Sequence, residues 1–175
     1  RNSEVGGRLV DLAAPQTIPT FVFGTQFTIV PQLLNPPESP DVGGNSSPNA
    51  ALPGNYCVTW EAPNGSGYYY NVVHTDGSLL AANGVWQNPT PFQSVGNVRI
   101  GKSCGIGAAA TREWVVVMQR AGLFGGDIVG ARLGIAGNVI TPVFTIDASL
   151  AVETEPEVSS LTDPIEGNEC FVVVY

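Results

Sequence analysis

The 175-residue chain carries 15 acidic and 7 basic residues with one histidine, a formal net charge of −8, and its 21 Gly and 14 Pro make up a fifth of it, against about 12 % in average proteins. Seven scattered basic residues are not the clustered Lys and Arg with which a nucleic-acid binder displaces counterions, and no apolar run approaches the roughly 20 residues of a membrane helix. Neither nucleic acid nor membrane insertion is expected. The length suits one domain or a few small repeats.

Taken in chain order, the first β-prone segment is Val5-Gly6-Gly7-Arg8-Leu9 and the second Phe27-Thr28-Ile29. Leu33 to Pro53 holds five prolines and no periodicity, which predicts a surface loop, although Pro40-Asp41-Val42 lies within it. Strands follow at Cys57-Val58-Thr59-Trp60 and Tyr69-Tyr70-Asn71-Val72-Val73, then a turn at Asp76-Gly77-Ser78, and further β-prone stretches at Phe92 to Val95 and Gly96-Asn97-Val98. Gly107 to Arg120 contains an Ala triplet that favours helix, but Trp114-Val115-Val116-Val117 is β-branched, and the segment reads as strand. Val129 to Leu133, a turn at Ala136-Gly137-Asn138, Phe144-Thr145-Ile146, Pro156-Glu157-Val158 and Val172 to Tyr175 complete the series. Gly at both turns supplies the positive φ of a tight hairpin.

These segments repeat. Apolar runs ending in a large side chain close at Trp60, Met118 and Tyr175, 58 and 57 residues apart. The Pro/Gly-x-Val, Phe-containing and Gly-Arg-Leu-type segments recur around them in one order. The fold class expected is all-β, with three repeats of about four antiparallel strands each, the content of one β-propeller blade. The repeats span approximately 42–97, 98–155, and a permuted third formed by 156–175 plus 1–41 of one array over 1–175. The first strands then complete the blade opened by the last, within the chain or in a neighbouring copy. Three blades fall below the roughly four of a closed propeller, which favours the neighbouring copy. The chain opens with neither Met nor a secretory signal, so a processed protein or a piece of a longer one is expected.

Phe171-Val172-Val173-Val174-Tyr175, Asp127-Ile128-Val129-Gly130-Ala131-Arg132-Leu133 with Ala136-Gly137-Asn138, Phe144-Thr145-Ile146 and Pro156-Glu157-Val158 resemble the tandem β repeats of large secreted bacterial surface proteins and adhesins. Trp114 to Tyr175 carries the resemblance best, and the first third matches only through its markers. The resemblance implies an exported, modular, blade-like protein, and that family shares no catalytic residues. The function expected is a non-enzymatic structural subunit or repeat of an extracellular filament or adhesin, assembling by β-strand complementation between copies of itself. A lectin-like carbohydrate-binding module is the alternative, with glycans as partner.

Candidate residues follow from these readings. Val5, Arg8 and Leu9 at one end and Val172, Val174 and Tyr175 at the other are the interface candidates. Cys57, Cys104 and Cys170 are an odd set that allows three single disulfides, and buried thiols are the alternative. Asn45-Ser46-Ser47 and Asn64-Gly65-Ser66 are glycosylation sequons. Tyr68, Tyr69 and Tyr70, with Trp60 and Trp86, form a candidate sugar-stacking platform, although alternation along a strand turns at least one tyrosine inward. His74 is read as a surface histidine. The carboxylates Glu153, Glu155, Glu157, Asp163, Glu166 and Glu169 lack the compact spacing of a calcium loop and read as solvated. No catalytic, metal-binding or cofactor-binding residue is expected.

Overall fold

The computed structural model describes residues 3–12, 21–33, 38–44, 55–62, 65–74, 77–80, 84–87, 94–101, 113–121, 126–149, 153–162 and 169–175. They are all-β and antiparallel, with no α-helix among the described residues. The strands are β1 (Ser3–Leu12), β2 (Phe21–Leu33), β3 (Glu38–Gly44), β4 (Asn55–Glu61), β5 (Gly67–His74), β6 (Gly84–Gln87), β7 (Val95–Ile100), β8 (Glu113–Ala121), β9 (Gly126–Gly134), β10 (Val139–Asp147), β11 (Glu157–Thr162) and β12 (Glu169–Val174). They form four sheets: an N-terminal hairpin β1-β2, a first four-stranded meander β3-β4-β5-β6, a second β7-β8-β9-β10, and a C-terminal hairpin β11-β12.

Turn chemistry fixes the meanders locally. Gly137 sits at φ 78° between β9 and β10, its N–H donating to the Gly134 carbonyl and the Gly134 N–H to the Asn138 carbonyl, each at 2.8 Å. Only a residue without Cβ takes that backbone without strain. Gly77, at φ 86°, donates to the His74 carbonyl at 2.9 Å in the same way after β5.

Corresponding strands pair at corresponding places. In the first meander Trp60 lies opposite Tyr69 and Asn55 opposite His74; in the second Met118 lies opposite Val129 and Glu113 opposite Gly134. Asp41 and Val42 face Thr59 and Val58, as Glu157 and Val158 face Val174 and Val173. In the second meander a bulge interrupts this pattern between Gly96 and Arg99. Asn97 lies in it at φ 51°.

The second meander is packed on both faces. Trp114, Val116 and Met118 of β8, with Val129, Ala131 and Leu133 of β9, meet Cys57, Tyr68, Tyr70 and Val72 of the first meander in one buried cluster. The alternate residues Val115 and Val117 meet Val158, Phe171 and Val173 of the C-terminal hairpin. Glu113 to Met118 are therefore all buried, which is why β8 reads as a continuous apolar run rather than an alternation. Each side chain of that run, with about 25 cal/mol per Å² of apolar area removed from water, ties two sheets together. Gly43 sets how closely the meanders approach, because a Cβ there would collide with the backbone carbonyl oxygen of Gly101.

One expectation is corrected. Leu33 to Pro53 is not wholly a loop: β2 runs through Leu33 and β3 occupies Glu38–Gly44. Pro40 is compatible with β3 because β3 is the edge of its sheet, where a missing N–H breaks no ladder bond. Of the two ways left open for joining first and last strands, the internal one is not seen: among the described residues the two terminal hairpins are separate two-stranded sheets.

Candidate functional site

The site that the sequence points to is the pair of open edges at the terminal hairpins. Among the described residues β12 pairs only with β11, and β1 only with β2. Their counterparts in the meanders, β4 and β5 or β8 and β9, are interior strands paired on both sides. Other edges carry the devices that discourage pairing: Pro40 in β3, Pro142 in β10, a bulge in β7, and a length of only four residues in β6. β1 and β12 contain no proline and no lysine. Among the described residues, β12, a Val-rich strand of interior composition, thus has backbone groups along one side with no strand beside them.

The side chains of β12 divide by face. Phe171 and Val173 pack on the second meander, whereas Val172 and Val174 are 55 % and 60 % exposed. Tyr175 is also exposed, and its hydroxyl donates to Asp147 Oδ2 at 2.7 Å. That bond, helped by the Ser149 backbone N–H at 2.8 Å, holds the Asp147 carboxyl below the ordinary carboxylate range and pushes the Tyr175 hydroxyl up. Arg99 reaches Glu157 at 3.1 Å from the second meander, so the hairpin is anchored by β11 and by the end of β12 while the free side of β12 stays open. The candidates Val5, Arg8 and Leu9 lie in β1; their side chains are outside the described residues.

The tyrosine platform is corrected. Tyr68 and Tyr70 point into the core between the meanders, their rings 6.0 Å apart, and burial pushes both hydroxyls up. The Tyr70 hydroxyl donates to the Gly137 carbonyl at 2.9 Å. Tyr69 stacks on Trp60 at 5.7 Å and 18°, and Trp60 is itself fully buried. No sugar can reach three ring faces of which two are interior. Trp86 lies in β6, its side chain outside the described residues.

Cys57 is buried in the cluster between the meanders. Cys170 occupies β12 opposite Leu161, its side chain outside the described residues, and Cys104, Asn45 and Asn64 are outside them altogether. His74 is half-buried, its Nδ1 2.8 Å from Asn55 Oδ1. Glu153, expected to be solvated, is buried and accepts a hydrogen bond from the Ser149 hydroxyl. Asp163 and Glu166 lie outside the described residues, and no group of three His, Cys, Asp or Glu suited to a metal occurs among the described ones.

Sequence reasoning missed a pair of carboxylates. Asp41 Oδ2 accepts from the Ile100 N–H at 3.0 Å, and Glu61 Oε1 from the Asn97 N–H at 2.6 Å. Both come from the first meander and satisfy donors on the β7 edge of the second. Asp41 stood in the Pro-Asp-Val marker, but nothing local indicates that its partner is 59 residues away.

No family model, curated protein or solved structure matches the chain.

Proposed function

We propose that the chain is a non-enzymatic structural unit of an extracellular filament or adhesin, in which the N-terminal hairpin of one copy completes the C-terminal hairpin of the next. One observation carries this reading: the sheets hold two strands, four, four and two in chain order, so the two terminal pairs together have the strand count of one more meander. Joining β11-β12 to β1-β2 of a neighbour gives a third blade-like meander and satisfies both open edges. The contact is heterologous, so it propagates from copy to copy unless its rotation closes. Three blades in one copy are fewer than the roughly four of a closed propeller. The resemblance of Trp114 to Tyr175 to tandem β repeats of secreted surface proteins supports the extracellular setting. The pairing is the same whether the next copy is a separate chain or a continuation of one polypeptide. Electron microscopy of the purified 175-residue chain tests the reading: filaments or rings of linked copies are expected, and dispersed monomers at all concentrations would overturn it.

A further inference from the structure

We infer that the open edge of β12 takes β1 of a second copy in one defined register, with Cys170 opposite Val10, Phe171 opposite Leu9, Val172 opposite Arg8, Val173 opposite Gly7, Val174 opposite Gly6 and Tyr175 opposite Val5. The inference rests on the self-association proposed above and adds the pairing it uses.

Both meanders supply the register independently. Asn55, Glu113 and Cys170 hold one place in their strands, set by the runs that close at Trp60, Met118 and Tyr175. His74, Gly134 and Val10 hold one place in theirs, set by Tyr69 to Val73, Val129 to Leu133 and Val5 to Leu9. Asn55 pairs with His74 in the first meander, and Glu113 with Gly134 in the second. Either pair, carried to the terminal strands, gives Cys170 with Val10.

The composition of the strands fits that register. In the second meander Trp114 faces Leu133, Val115 faces Arg132 and Val117 faces Gly130; the inferred pairs Phe171 with Leu9, Val172 with Arg8 and Val174 with Gly6 repeat those combinations. A slip of one residue would exchange the faces of every β1 residue. A slip of two would set Phe171 opposite Asp11 or Cys170 opposite Arg8.

Hydrogen-bond phase also transfers. The Val115 carbonyl accepts from the Gly101 N–H, and the Ala121 N–H donates to Ser94, each at 2.8 Å. Glu113 and Val115 therefore turn their backbone groups toward β7 and make non-hydrogen-bonded pairs with β9. In the first meander the Val72 carbonyl accepts from the Leu80 N–H at 2.8 Å and the His74 N–H donates to Ser78 at 2.8 Å, so Asn55 with His74 is a pair of the same kind. Cys170 with Val10 falls in that phase, where facing Cα atoms stand about 4.5 Å apart, within the range a disulfide spans.

One substitution therefore reads the register. Chains carrying Val10→Cys and Cys170→Ser, with a mass tag, are mixed with unsubstituted chains, assembled, oxidised mildly, and mapped by peptide mass spectrometry. A 10-to-170 disulfide joining a tagged to an untagged chain is the expected result. Arg8→Cys or Leu12→Cys in place of Val10→Cys should give no such link. A preferred link from position 8 or 12 would overturn the register while leaving strand exchange between copies standing. Val10→Cys in the otherwise native chain forming only an intrachain link would keep the register and overturn exchange between copies. Assemblies that persist with none of these links would overturn both the register and strand pairing at these edges. Since Cys170→Ser could disturb folding, Arg8→Cys on one chain mixed with Val172→Cys on another probes the same register independently and should also link.

Discussion

The second meander and the C-terminal hairpin are built from the same kind of strand, yet among the described residues one sheet has four strands and the other two. In the meander, β8 has a strand on each side and a sheet on each face, and its apolar run is wholly buried. In the hairpin, among the described residues, β12 has a strand on one side, a sheet on one face, and Val172 and Val174 in solvent. A Val-rich strand supplies the same backbone groups and the same apolar surface in both places. What differs is how many neighbours each strand has among the described residues, and the proposed association between copies rests on that difference.

Substitutions can break this contrast. Trp114→Ala empties a fully buried site between the meanders and should lower stability by about 3–5 kcal/mol, measured by urea unfolding; Val174→Ala, on an exposed position, should change it by less than about 0.5 kcal/mol in dispersed chains. Gly43→Ala drives a Cβ against the Gly101 carbonyl and should lower stability by about 1–3 kcal/mol, read as a fall in thermal midpoint. Glu113→Gln weakens the pair with Arg132, whose Nη2 lies 2.6 Å from Oε1. Arg132 is partly exposed and can rehydrate, so the loss should be about 1–2 kcal/mol by the same unfolding measurement.

Two further substitutions probe the C-terminal hairpin. Val172→Lys with Val174→Lys adds charge to exposed positions of an open edge, and should leave the thermal midpoint of the dispersed chain unchanged while light scattering loses the assembly. Tyr175→Phe removes the donor to Asp147, so the Asp147 carboxyl should titrate at higher pH in an NMR titration. The sign follows from a folded value lowered by that bond: the Asp147 contribution is present above the unfolded carboxyl pKa and is lost as pH falls through the folded value. At an exposed pair the stability change is small.

Strand identity was legible where residue type speaks locally. Trp114 to Val117 overrode the Ala triplet before it, and Gly77 and Gly137 announced their turns. Leu33 to Pro53 misled because prolines mask a strand whose edge position is a tertiary fact. The tyrosine run misled in part: alternation says that neighbours face opposite ways, but not whether a second sheet covers either face. Here Tyr68 and Tyr70 are covered by the second meander.

The sequence by itself determined the all-β class and the order of the segments, because β-propensity, turn glycine and period-two alternation act over a few residues. Only the tertiary structure decided that Asp41 and Glu61 bind backbone donors of the other meander, that Glu153 is buried, and that among the described residues β1 and β12 each pair on one side only. Those outcomes depend on which sheets meet, and sheet packing joins residues too distant in the chain for local periodicity to record.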